Sequence, residues 1–439
     1  MWLRGSVTCP GVSCLILLVI SGSAHAAELF HSPTDTPGYW TTLGESHFHQ
    51  AHFEDAEAAW SRALDLEPGN AVAHLGLGRL ASMRSDSDSA AKHYSRAYQA
   101  APRNPDVVLA FAGAVQNREA RRTLLQNFLT LAGTAGGRRQ ELEDVTAQIR
   151  LDEKLGAREP GVLRSPYESY RIPLSGSHQQ GLILRARING GRELRLLVDS
   201  GATGIVLNKA AGLHLDYEYV APGALTGFGS DAPSGANLVL VASFKTGKLQ
   251  LANLVIEVAD SELIRDADGA IGLDVFKDFL IRVDPRSRLL ELTPFSGSDV
   301  SSVSPDCVQA YRIGHLLLVR GAVNGKAAGY FVLDTGSPTT MLSPNVLSAV
   351  SLPGEGGRSM VVAGAQGSQR VAMPLTPVRL TLGARHALEF DYAMFDTRDL
   401  SVRSGVDISG AIGFSMLRNF SLTVNYRNGT VAFDNPGRN

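Results

Sequence analysis

The sequence predicts a multidomain chain: an N-terminal all-α array of helical repeats, then an all-β region of two lobes related by pseudo-two-fold symmetry. Three observations predict it. From Trp40, small and aromatic residues recur with the period of a helix pair. From Tyr170 the apolar pattern changes to the alternation of half-buried strands. Within that second region one segment occurs twice, as LRLLVDSGATGIVL from Leu194 to Leu207 and as FVLDTGSPTTML from Phe331 to Leu342.

The chain of 439 residues exceeds one ordinary domain, and 44% hydrophobic with 19% charged residues is the make-up of a folded soluble protein. A net charge of −2 gives no electrostatic reason to expect nucleic acid or an anionic membrane as partner. Residues 1–26 read as a secretory signal, with Arg4 as the positive start, an apolar stretch from Val12 to Ile20, and Ala24-His25-Ala26 as a small-x-small cleavage site. That stretch is well short of the ~20 residues that span a bilayer. The expectation is therefore an exported chain, periplasmic or secreted, starting at Ala27 and without a stable membrane span. Cys9 and Cys14 fall in the signal, which leaves Cys307 alone and no internal disulfide.

The helical array is expected over residues 30–135. Trp40, Leu43, Gly44, Ala56, Trp60, Ala63 and Pro68 are followed about 34 residues later by Leu77, Gly78, Ala90, Tyr94, Ala97 and Pro102. Small residues where two helices cross, aromatics wedged beside them and a proline that ends the second helix are what stacking requires. The pattern resembles a tetratricopeptide repeat. A degenerate third unit from Pro105 to Ala132, with Leu124 and Phe128 at the recurring positions, reads as a cap. Residues 136–168 then supply a charged helix, Arg139 to Leu155, and a linker from Gly156 to Pro166.

The lobes are expected over 169–296 and 305–436, joined by the Ser-rich stretch from Pro294 to Pro305. Asn189-Gly190-Gly191 turns the chain into the strand that delivers Asp199, and Asn324-Gly325 does the same ahead of Asp334. Downstream, GAIGLDVFKDFLIRVD at 269–284 matches GAIGFSMLRNFSLTVN at 410–425, so the duplication is of a domain and not only of a motif. Each lobe closes with a hairpin, turned at Pro285-Arg286-Ser287 and at Asn428-Gly429. Midway through each, LTGFGS (225–230) and VAGAQG (362–367) are glycine-rich, as hairpin tips would be.

The two Asp-Ser/Thr-Gly turns and the later Ala-Ile-Gly segments resemble aspartic peptidases of the pepsin and retropepsin kind, here as two retropepsin-like lobes fused in one chain. The resemblance covers roughly residues 170 to 436. It implies that Asp199 and Asp334 are the catalytic pair, that the hydroxyls of Ser200 and Thr335 lock the two turns together, and that Gly272 and Gly413 pack beside them. Gly201 and Gly336 permit backbone N–H groups to point at the carboxylates. Ser337 is expected to hydrogen-bond the outer oxygen of Asp334, which Ala202 at the matching position cannot do. Flap candidates are Gly227, Phe228 and Gly229 on one lobe and Gly364 and Gln366 on the other; Phe228 stands where pepsin-like flaps carry tyrosine.

Two carboxyls within hydrogen-bonding distance cannot both ionise, so one keeps a proton and the pair supplies a general base and a general acid to a single water. The resulting expectation is an endopeptidase acting on peptide or protein substrates without cofactor, with the repeats recruiting substrate or partner. Two other readings stand beside it. In one the lobes bind peptide without cutting; in the other the repeats are a scaffold and the lobes an accessory. Taken singly, each aspartate turn is also an ordinary Asp-capped β-turn. His47, His49 and His52 cluster, but no cysteine or carboxylate set accompanies them in the sequence, so no metal site is expected. Asp266 and Asp268 read as a loop and not a calcium site, and no phosphate-cradling glycine loop is present.

Overall fold

The computed structural model describes residues 35–133, 138–177, 181–225, 234–295, 307–350, 357–364 and 367–434. The expected signal at 1–26 lies outside the described residues, as does most of the Ser-rich connection between the lobes. No helix among the described residues is long and apolar enough to cross a membrane.

Seven helices come first: α1 Pro37–His49, α2 Phe53–Leu66, α3 Ala71–Met83, α4 Ser87–Ala100, α5 Pro105–Ala114, α6 Arg118–Gly133 and α7 Arg139–Leu155. Side chains of Thr36, Asn70, Asp86 and Asn104 accept backbone N–H groups at the starts of α1, α3, α4 and α5. The small residues of the repeat have a steric cause. A Cβ on Gly44 or Gly76 would run into the Trp60 indole, and one on Gly78 into the Tyr94 ring. Trp60 is fully buried between them.

The third helix pair is not a terminal cap. Its outer face, with Leu125, Phe128 and Ala132, is covered by Val145 and Ile149 of α7, and Arg121 of α6 is hydrogen-bonded to the buried Asp152 of α7 at 2.8 and 3.0 Å. Helix α7 in turn places Leu151 and Leu155 on Val220, Ala221 and Leu240 of the first lobe. The segment expected to be linker also joins that lobe: Val162–Leu163 pairs with Ala252 and Leu251.

Lobe 1 is a closed barrel of six strands. Leu249–Ala259 pairs with Ile205–Leu207, then in turn come Gly269–Ile271, Glu193–Val198, Gly181–Ile188 and Ser234–Thr246, which returns to Leu249–Ala259. Lobe 2 follows the same path with its long hairpin broken: Val378–Leu382 pairs with Leu316–Val323, while Tyr392–Met394 takes the parallel place beside Thr340–Leu342. The hairpin turns predicted from sequence are present, Asn189, Gly190, Asn324 and Gly325 all having positive φ.

The lobes meet in one antiparallel sheet. Tyr170–Pro173, Leu289–Pro294 and Phe279–Asp284 come from lobe 1; Ser421–Asn425, Thr430–Asp434 and Val308–Ile313 come from lobe 2. The joint is the pairing of Leu280 with Asn425 through Val283 with Leu422. Ile281, Leu290, Leu292, Val424 and Phe433 are buried in a core continuous with both lobes.

Candidate active site

Both aspartates are delivered the same way. Strand Glu193–Val198 runs parallel to Gly269–Ile271, and Asp199 N–H donates to Ile271 O at 3.0 Å. Strand Ala327–Leu333 runs parallel to Gly410–Ile412, and Asp334 N–H donates to Ile412 O at 3.0 Å. The Ala-Ile-Gly segments are thus wedged beside the aspartate turns. A Cβ on Gly272 would overlap Ala202 O, and one on Gly413 would overlap the Thr339 carbonyl, so glycine is required at each.

The hydroxyl residues cross between lobes as expected. Ser200 N–H donates to Thr335 Oγ1 at 3.0 Å and Thr335 N–H donates to Ser200 Oγ at 3.0 Å. Each hydroxyl then donates onward across the joint, Ser200 Oγ to Leu333 O at 2.8 Å and Thr335 Oγ1 to Val198 O at 2.9 Å. With Ser200 1% and Thr335 4% exposed, this four-bond lattice is dry, and each donor has its acceptor in the opposite lobe.

The lattice brings the carboxyls together. A hydrogen bond links Asp199 and Asp334. Asp199 Oδ1 accepts Gly201 N–H at 2.8 Å; Asp334 Oδ1 accepts Gly336 N–H at 3.1 Å and Ser337 N–H at 2.9 Å. Burial pushes both carboxyls above the ordinary aspartate range, and the charge of Asp199 pushes Asp334 further. The backbone N–H groups pull the other way, and two acids this close titrate as a pair.

Ser337 differs from expectation. Its hydroxyl donates to Thr339 O at 2.8 Å, and only its backbone N–H reaches Asp334. The side chain therefore fastens the turn and does not touch the carboxylate. At the matching position Ala202 N–H closes the turn onto Asp199 O at 3.1 Å.

Two residues of the site were not expected. His315 follows the turn at Gly314 in lobe 2, and its Nε2 lies 2.9 Å from Gly201 O of lobe 1, where its charge would lower both Asp199 and Asp274. Asp274 accepts Gly204 N–H at 2.9 and 3.1 Å and is raised mainly by burial. Lobe 2 has Ser415 in its place, accepting Thr340 N–H at 3.2 Å and donating to Glu389 Oε2 at 2.9 Å. The Asp274/Ser415 difference is visible in the aligned GAIGLD and GAIGFS segments. His315 has no such signal, because it enters from a separate hairpin.

Of the flap candidates, Gly227, Phe228, Gly229 and Gln366 lie outside the described residues. Gly364 ends the strand Gly357–Gly364 and is paired with Gly367. On lobe 1, Glu218–Leu225 pairs antiparallel with Ser234–Thr246, ending with Leu225 opposite Ser234. A separate cavity of about 680 Å³ on lobe 1, bordered by Arg192, Arg195, Arg265 and Asp268, touches neither aspartate.

Residues 184–275 and 319–416 each match the aspartyl protease family model. The two lobes are aspartyl protease domains. Residues 41–105 match the tetratricopeptide repeat model, so helical repeats precede the protease lobes. Among solved structures, an aspartic proteinase from Irpex lacteus is similar to the chain at 10% identity, covering 61% of this chain and 98% of its own, with a TM-score of 0.44. No curated protein matches the chain.

Proposed function

We propose that the chain is an exported aspartic endopeptidase in which Asp199 and Asp334 activate one water, while the tetratricopeptide repeats recruit substrate or a protein partner. The observation that carries this reading is the hydrogen-bonded pair of raised carboxyls, held by turns that are bonded to each other across the lobes. In the proposed step the ionised carboxylate takes a proton from the water as its oxygen attacks the peptide carbonyl. The protonated partner donates to the developing oxyanion. Collapse of the tetrahedral intermediate breaks the C–N bond as the leaving nitrogen takes up a proton, and the pair returns to sharing one.

The test is cleavage of unstructured peptides by the mature protein, from acidic to neutral pH, beside Asp199→Asn and Asp334→Asn. Each variant is expected to lose at least ~10²-fold in kcat/KM. Unchanged activity in either would sink the shared-dyad mechanism, and recovery on mixing the two would place the pair between chains. Peptide affinity with no turnover by the unsubstituted protein would favour the binding reading. Export is tested by fractionating expressing cells and sequencing the N-terminus, which is expected at Ala27.

A further inference from the structure

Outside the candidate active site, the turn between α1 and α2 gathers two imidazoles and a carboxylate. His47 lies in the last turn of α1, His52 at the N-cap of α2 and Asp55 in the first turn of α2. One ligand atom from each stands within 4.8 Å of the other two. The sequence placed His49 in this group and supplied no carboxylate; the structure does the reverse. His49 Nδ1 is turned to Gly405 O of lobe 2 at 2.6 Å, and Asp55 takes its place.

The two imidazoles have no hydrogen-bonding duty among the described residues that would explain them. His47 Nδ1 is buried and has no hydrogen-bond partner among the described residues, a costly arrangement for a ring nitrogen. His52 occupies a position where a serine, threonine, aspartate or asparagine ordinarily accepts a backbone N–H, and it makes no side-chain capping bond. The turn that aims them is fixed: His52 N–H donates to His47 O at 2.8 Å, and Ala51 adopts a left-handed φ of 57°.

We propose that His47, His52 and Asp55 bind a divalent transition-metal ion of the zinc class. Two imidazole nitrogens with one carboxylate oxygen suit zinc or its neighbours, whereas calcium and magnesium need sets built mainly of oxygen. Three protein ligands leave a coordination position for water, and His52 and Asp55 are exposed to it. The next residue, Phe53, has its ring 4.4 Å from Tyr311 and 4.8 Å from Tyr330 of lobe 2, and His49 O accepts Asp407 N–H at 2.7 Å. An ion here would staple the turn by which the helical array grips the lobe.

The full chain, freed of metal by chelation, is titrated with Co²⁺ and then with Zn²⁺. The expected result is a single equivalent of Co²⁺ with visible d–d absorption, displaced by Zn²⁺. His52→Ala and Asp55→Asn each weaken binding at least about tenfold, and His49→Ala leaves it unchanged. Both substituted ligands are exposed, so the variants should fold, and far-UV circular dichroism checks this. Absence of a Co²⁺ complex in the unsubstituted chain, binding that survives His52→Ala and Asp55→Asn intact, or equal weakening by His49→Ala would each overturn the proposal.

Discussion

Gly201 and Gly336 follow the hydroxyl residue of their turns, yet they are not interchangeable. A Cβ on Gly336 would sit inside the Asp199 carboxylate, while one on Gly201 would stand 3.1 Å from Asp334 Cγ and 3.2 Å from Asp199 Oδ1, a fit that small shifts relieve. Gly336→Ala is therefore expected to abolish peptide cleavage and Gly201→Ala to keep a measurable fraction; initial rates that fall equally would contradict this. His315 acts on the pair from lobe 2. When charged it holds Asp199 down, so His315→Ala should move the acidic limb of the pH–rate profile to higher pH, which a profile of kcat/KM reads directly. Glu257 of Leu249–Ala259 titrates outside the dyad: burial, with the charges of Asp144 and Asp274, raises it from 4.5 to about 7, and its Oε2 has no hydrogen-bond partner among the described residues. A raised carboxyl contributes stability that is full below pH 4.5 and is lost as pH rises through about 7. Glu257→Gln, neutral throughout, should lose less stability between acidic and neutral pH, by up to about 3–4 kcal/mol, which melting curves at the two pH values read. The meeting of Asp199 and Asp334 was legible from two matched motifs; the placements of His315 and Glu257 were not, because they arise from neighbours distant in sequence.

At the level of elements, hairpins and helices were largely readable because their signals are local. Asn-Gly turns with positive φ announce the hairpins that present each aspartate, and Gly44 and Gly78 announce the helix crossings. What the sequence did not disclose was where α7 rests. Its apolar face, Val145, Ile149, Leu151 and Leu155, is plain in RQELEDVTAQIRLDEKL, but periodicity does not say what covers a face. The structure divides that face, giving the first two residues to α6 and the last two to the hairpin Glu218–Leu225/Ser234–Thr246. Leu155→Ala is expected to cost ~2–5 kcal/mol at this contact and to raise amide exchange along Glu218–Leu225. Exchange that changes in α7 alone would show the hairpin to be indifferent to the helix.

For the whole molecule, the helices are not a separable appendage. Phe53 and Trp60 share a buried cluster with Tyr311, Tyr330 and Val332 of lobe 2, while Leu151 and Leu155 lie on lobe 1. Deleting residues 27–160 would expose both seats, so loss of activity in that deletion would report damaged lobes as readily as lost recruitment. Phe53→Ala, at ~3–5 kcal/mol, is the cleaner probe. Calorimetry should show the array and lobe 2 both melting earlier, whereas a lobe 2 transition left in place would mean that the docking carries no energy. The sheet that joins the lobes has a further consequence. Because Phe279–Asp284 and Ser421–Asn425 belong to one polypeptide, their encounter is unimolecular, and the assembled site is indifferent to dilution. A protein built from two identical copies must repeat every substitution on both sides of its axis. This chain is released from that rule, and Asp274 in one lobe where the other has Ser415, with a histidine reaching over from one side, is what such freedom leaves behind.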